Sequence, residues 1–318
     1  MLPRIVLTRV LYINHEFAQC GVFQAGDRLG NALQKHQSKH DFNYINVNSF
    51  EAYAQAFSNY KPDLVLANFF PPTMGWLTEN AVAATPVPII SICHETYMLN
   101  DLLKKFDYAS VLNPFYPTKD KRVLLTRNGL PEYVPTPTDS EKITIGSFGF
   151  SFPNKGWHRI MEQVNEEFDE AHIRFHMPQS TFGDSDGAHT QNRIKEAREF
   201  PFKPGITIEF SHDYKNEKDL IDWLSENTVN CFFYDEFGER GVSSTTDYAL
   251  ASRRPIAISN SSMFNNLDVE GIRVPETTLR QIIKNGIRPL DPLYKYTMDY
   301  VVIQYEDFID SIIGKKND

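Results

Sequence analysis

Short apolar runs separated by segments of helical periodicity recur from one end of this chain to the other, and that alternation limits its fold more than any other feature. Runs of four to eight apolar residues bounded by turn residues read as strands buried on both faces. Strands buried in this way belong to parallel sheets, whose connections cross over through helices. In the first half such runs fall at 5–13, 42–47, 63–67, 88–93, 108–112 and 123–125. Between the first two, Val22, Ala25, Gly26, Leu29, Ala32 and Leu33 share one helical face. A second series follows at 143–148, 172–176, 206–210, 230–234, 255–259 and 271–274. Helices are expected between them at 155–168, 192–200, 217–227, 244–252 and 278–285. The expectation is an α/β protein of two Rossmann-like domains with the site in the cleft between them.

The break between the two series is TRNGLPEYVPTPTDSEK, residues 126–142, which holds three prolines, a glycine and many polar residues. It divides the 318 residues into an expected domain at 1–135, a second at 136–292 and a closing helical segment at 293–318. Two domains also suit the length, at roughly 150 residues each. Hydrophobic residues make up 41% of the chain, enough for two cores.

Charge and cysteine content remove several classes of function. A net charge of -9 gives no strong signal for nucleic acid or for an anionic membrane surface. Three cysteines, Cys20, Cys93 and Cys231, are too few and too far apart for a disulfide framework or a zinc cluster. The apolar start carries Arg4 and Arg9 and lacks a cleavage site, so it reads as a first strand. No uncharged stretch is long enough to span a bilayer, and the expected location is cytoplasmic.

In parallel sheets, ligands collect beyond the carboxyl ends of strands, where helix N-termini offer free N–H groups. Three loops fit. The first, residues 14–24, carries Gly21 at a helix start, where the backbone can approach a ligand; an ordinary tight turn fits as well. The second, GSFGFSFPNKGWHR, has Gly146 and Gly149 around a strand end and Lys155-Gly156 at a helix start. A lysine there opposes the helix dipole unless an anion lies between them, so a phosphate would resolve the conflict. A solvated lysine beside a turn glycine is the alternative. The glycine spacing is not the dinucleotide fingerprint, which leaves a nicotinamide site without support. The third loop follows Tyr234-Asp235-Glu236 with Glu239, Arg240 and Gly241, then Ser243-Ser244-Thr245-Thr246 and Asp247. Four successive hydroxyls exceed what a helix cap needs and suit phosphate oxygens, although a capped helix with an acidic first turn has the same sequence.

Taken in order, these segments resemble GT-B-type glycosyltransferases, in particular the retaining glycosyltransferase family 4. Phe148-Gly149 and Lys155-Gly156 match that family's glycine strand end and Lys-Gly helix start. Glu239 and Asp247 stand eight positions apart, like its two carboxylates, and are followed by a small-residue helix and Pro255. Gly21 matches the amino-terminal glycine loop, His94-Glu95 the histidine after the fourth strand, and Asn128-Gly129 with Pro131 the interdomain turn. There are departures: the second acid is aspartate, Arg240 is an extra residue, Glu236 competes with Glu239 for the first acidic role, and the arginine expected before Lys155 is absent.

The resemblance implies a hexosyltransferase-like enzyme that moves a sugar from a nucleotide-diphosphate sugar, a UDP-sugar being favoured, with retention of configuration. It implies a donor site in the second domain and an acceptor, whether a saccharide, lipid-linked or other, in the first. His94 would then lie near the transferred sugar, Glu239 would contact its hydroxyls, Asp247 the ribose and Tyr214 the base. Phe148, Gly149, Glu236, Gly241, Val242, Ser243, Ser244 and Thr245 would line the donor. No His, Cys, Asp and Glu cluster has metal-ligand spacing, so no metal and no other cofactor is expected. Lys155 and the helix start near Ser243 would carry the leaving-group charge instead. A nucleotide-sugar epimerase, or a nucleotide-sugar-binding protein without activity, are the alternatives.

Overall fold

The computed structural model describes residues 7–18, 20–36, 39–138, 141–179, 184–236, 238 and 241–314. They form two compact units: 1–129 with 239–242 and 296–318, and 130–238 with 243–295. The change of unit falls at Gly129–Leu130 rather than at 135, because Leu130 packs into a core of the second unit. The final helical segment groups with the first unit.

The first unit is a six-stranded parallel sheet: β1 (Thr8–Asn14), β2 (His40–Asn46), β3 (Leu64–Ala67), β4 (Ile89–Cys93), β5 (Tyr108–Val111) and β6 (Val123–Leu125). Their spatial order is β2-β1-β3-β4-β5-β6. Strand direction of travel across the sheet reverses between β1 and β3, and the loops that follow those two strands part there. Alternate residues of β1 enter opposite cores: Leu11 and Ile13 on one face, Val10 and Tyr12 on the other. The latter face is covered by α1 (Gly21–Lys35), through Leu29 and Leu33, and by the last helix, Met298–Ile313, through Val301, Val302, Tyr305, Ile309 and Ile312. Ser110 and Tyr305 share a buried hydrogen bond of 2.8 Å beneath it. A helix not anticipated from the sequence, α2 (Phe50–Tyr60), follows β2 and is capped by the Ser49 hydroxyl, which accepts from the Ala52 N–H.

The second unit holds β7 (Thr144–Phe148), β8 (Glu170–His176), β9 (Gly205–Ser211), β10 (Val229–Phe232) and β11 (Ile256–Ile258), all parallel, in the order β11-β10-β7-β8-β9. The crevice strands here are β7 and β10. They pair over two residues, Ile145↔Val229 and Gly146↔Asn230, whereas β7 and β8 pair over five, so β7 and β10 separate towards their carboxyl ends. The expected strand at 271–274 is absent as a strand: a single bridge joins Arg273 to Ile258. Gly146 also differs from expectation. It lies inside β7, where a Cβ would collide with the Asn227 side chain, so it serves packing and not a ligand. No described helix is long and apolar enough to cross a membrane.

Candidate active site

The loop after β7 leads to Lys155 by a route that differs in detail from a simple helix start. Pro153–Lys155 form one tight 3-10 turn, Gly156 takes a left-handed conformation at φ 64°, and the helix α6 spans Trp157–Glu167. Glycine is required at 156 twice over, by that φ and because a Cβ would run into the Phe233 carbonyl oxygen. Asp235 N–H donates to the Asn154 carbonyl at 3.0 Å. Arg159 Nη1 donates to the carbonyls of Phe233 and Tyr234, both at 3.1 Å, and to Asp235 Oδ1 at 3.3 Å. The loop after β7 is thereby fastened to the end of β10.

This fastening lays the Lys155 ammonium on the ring of Tyr234, 3.9 Å from its centroid. Among the described residues Lys155 forms no ion pair. Tyr234 Oη shares a 3.1 Å hydrogen bond with Thr245 Oγ1 and accepts from Ser243 Oγ at 3.3 Å, and Ser243 and Thr245 are 2.8 Å apart. Burial pushes the Tyr234 phenol up, yet the Lys155 charge and the two hydroxyls outweigh it and hold the group below its ordinary value. Gly149, with φ 144°, has the Tyr234 hydroxyl and Thr245 as the nearest neighbours of its missing side chain. Lys155, Gly149, Ser243 and Thr245 are all expected from the sequence; the structure joins them through Tyr234, which in the sequence is only the end of a strand.

The other residues expected of a donor site divide by burial. Phe148 packs edge-on against Phe232 and Tyr248 in the core, so its part is to hold the strand end. The short helix α9 (Thr245–Ala251) begins at Thr245 and not at Ser243; Thr246 Oγ1 donates back to the Ser243 carbonyl. Only two of the four successive hydroxyls therefore meet Tyr234, while Ser244 makes no side-chain cap. Asp247 lies in the first turn of α9 and is 1% exposed. Glu236 accepts from the Gly238 N–H at 2.8 Å and from the Ser262 N–H and hydroxyl at 2.8 and 2.6 Å, which makes it a brace for its own turn. Glu239 and Arg240 lie outside the described residues. Tyr214, on the loop after β9, is 56% exposed.

In the first unit His94 follows β4 and belongs to a line of polar side chains at the β1–β3 crevice. Asn68 Nδ2 donates to Asn14 Oδ1 at 2.8 Å and to the Val22 carbonyl at 3.0 Å, so its oxygen faces His94 Nε2 at 2.6 Å. That arrangement makes Nε2 the proton-bearing nitrogen and Nδ1 an acceptor. Burial, and next the neighbouring His15, push the His94 imidazole down to about 3, so it is neutral at physiological pH. Gly241, at φ 96°, presses on the His94 carbonyl so closely that a side chain has no room, and Val242 packs on the first unit's core. Gly21 is the exposed first residue of α1. A small pocket lined by Phe69, Phe70, Pro71, Met98 and Leu102 opens beside His94 and Glu95. Asn14, Asn68 and Arg159 escaped the sequence reading. Arg159 carried a usable signal, since a second cation in the first turn of α6 opposes the dipole just as Lys155 does.

Among the described residues, no three His, Cys, Asp or Glu side chains gather in a way that would hold a metal. No family model matches the sequence, and no curated protein matches it. Its backbone is nevertheless similar to solved structures over nearly its whole length. A glycosyltransferase from Rickettsia africae superposes with a TM-score of 0.65 at 11% identity, covering 96% of this chain and 99% of that one. Sucrose-phosphate synthase from Thermosynechococcus elongatus gives 0.63 at 12%, covering 96% and 94%. HepE from Anabaena, solved in complex with UDP-glucose, gives 0.61 at 12%, covering 97% and 98%. The two parallel-sheet units are those of the GT-B glycosyltransferase fold.

Proposed function

We propose that a chain with this fold and this lysine site is a glycosyltransferase: it transfers a sugar from a nucleoside-diphosphate sugar, held by the second unit, to an acceptor held by the first. The observation that carries the reading is the Lys155–Tyr234–Ser243–Thr245 cluster at the β7–β10 crevice. It presents a cation that has no carboxylate partner among the described residues, together with two hydroxyls, a set that matches phosphate oxygens. A departing diphosphate gains negative charge, and a fixed ammonium at that point stabilises it without reorganisation. HepE, of like fold, was solved with UDP-glucose, which supports a UDP-sugar as the donor.

His94 fits a neutral hydrogen-bonding role towards a sugar hydroxyl, its Nδ1 accepting while Asn68 fixes the ring. Asp247 is assigned to the ribose, Tyr214 to the base, and Glu239 or Glu236 to the sugar hydroxyls. Transfer with retention and without a metal belongs to the same proposal.

The test is a thermal-shift screen of the full chain against nucleoside diphosphates and their sugars, followed by turnover of the donor that binds best. Ligand bound to the folded state raises the melting temperature. Release of nucleoside diphosphate that depends on an added acceptor, and persists in a chelator, supports the reading. An isomerised nucleotide sugar formed without acceptor would make the chain an epimerase, and binding without any turnover a carrier. Activity lost in chelator and restored by magnesium or manganese would overturn the metal-free step.

A further inference from the structure

The loop that carries Lys155 is tied at one more point, away from the site. Helix α7 (Ala188–Glu199) has Gly187 at its start, with no side-chain cap from that residue. Asp184 supplies the missing acceptors: Oδ1 takes the His189 N–H at 2.8 Å, and Oδ2 takes the Thr190 N–H at 3.1 Å and its hydroxyl at 2.8 Å. Those bonds complete the first turn of the helix. A fourth donor comes from elsewhere. Ser151 Oγ donates to Asp184 Oδ2 at 3.1 Å and lies 2.6 Å from Thr190 Oγ1.

A helix cap requires nothing from Ser151. Both groups are closed off from water, with Ser151 1% and Asp184 3% exposed. Ser151 is in the middle of the Gly149–Lys155 loop. The loop's ends are held by Gly149 N–H on the His176 carbonyl at 3.1 Å and by the Asn154 carbonyl on Asp235 N–H at 3.0 Å. Beside Ser151, the Phe152 ring meets His189 edge-on at 6.1 Å. Burial alone would raise the Asp184 carboxyl, but the donors around it outweigh burial and hold it below the ordinary range, so it remains an acceptor at neutral pH.

We infer that Asp184, acting through Ser151, is a positioning residue that holds the Gly149–Lys155 loop in the geometry presenting Lys155 to a diphosphate, an assignment that rests on the donor site proposed above. Without the Ser151 bond the loop keeps its ends but loses its middle support. The ammonium then samples positions away from the Tyr234 ring.

The experiment measures UDP affinity by calorimetry for the full chain and for Ser151→Ala, Lys155→Ala and the double variant, with the melting temperature of each. Ser151→Ala leaves the α7 acceptors in place and should raise Kd about five-fold, the worth of one hydrogen bond. In the Lys155→Ala background the same change should add less than about two-fold, because the group being positioned is gone. Thr190→Val keeps Asp184 on the helix N–H groups while removing the hydroxyl shared with Ser151, and should shift Kd in the same direction. A folded Ser151→Ala with unchanged Kd, or losses that multiply in the double variant, would overturn the assignment while leaving the donor site standing. If Lys155→Ala itself leaves UDP affinity unchanged, the donor site fails and the assignment fails with it.

Discussion

Replacing Lys155 with alanine is the most direct test of the site, and its consequences separate into binding, tyrosine ionisation and stability. The ammonium sits 3.9 Å from the Tyr234 ring centroid and has no ion-pair partner among the described residues. Its removal costs a bound diphosphate one charge-assisted hydrogen bond, about 1.5–3 kcal/mol. At 1.4 kcal/mol per factor of ten, that is a rise in Kd of roughly 10- to 150-fold. The same substitution leaves Tyr234 buried without the charge that depresses its ionisation, so its phenol should titrate higher than in the parent chain. Stability should change little, by about 0.5–1 kcal/mol for a partly exposed cation–π pair, because Trp157 and Ile160, not Lys155, enter the core. Calorimetric titration with UDP reads the first effect and ultraviolet difference spectra of tyrosinate the second. A folded variant with parent-like UDP affinity would refute the reasoning, whatever Tyr234 does.

Gly156→Ala forces a left-handed residue against the Phe233 carbonyl; it should destabilise the second unit by about 2 kcal/mol or more, read by chemical denaturation, and weaken UDP binding with it. Asp247→Asn should lower affinity for a ribonucleoside diphosphate and shrink discrimination against the 2′-deoxy analogue, and an unchanged ribo-to-deoxy ratio in a folded variant would move the ribose role to another group. His15, His94 and His176 are held down to about 4, 3 and 4, chiefly by burial. The unfolded chain binds protons at these groups from about pH 6.5 downward and the folded chain does not. Their contribution to stability is therefore whole above pH 6.5 and is lost as pH falls towards those values, at up to about 1.4 kcal/mol per pH unit for each histidine. Denaturation midpoints between pH 7 and 4.5 check this, and resonances assigned to His15, His94 or His176 that titrate near pH 6.5 in the folded protein would contradict it.

Within the chain, what depended on local pattern was legible from residues alone. Eleven of the twelve anticipated strands are present, since a run such as Leu64–Ala67 or Thr144–Phe148 has no stable place except inside a parallel sheet. The exception, 271–274, has the composition of a strand but reaches only one partner residue, Arg273 to Ile258. Pairing is decided by neighbours and not by propensity. Lys155 was found because a cation at a helix start is locally unfavourable, an argument that needs no tertiary information.

Only the tertiary structure decided which strands lie side by side, and with that the positions of the two crevices. Strand order brings Asn14, Asn68 and His94, separated by 54 and 26 residues, into one hydrogen-bonded line. It likewise lays Lys155 on Tyr234 and turns two of four neighbouring hydroxyls towards that ring while sending Thr246 back to its own helix. Sequence spacing cannot distinguish those hydroxyls, because each is chemically able to cap a helix or to face a ligand. The direction each one takes is set by where β10 ends relative to β7, and that distance is fixed by packing across the sheet.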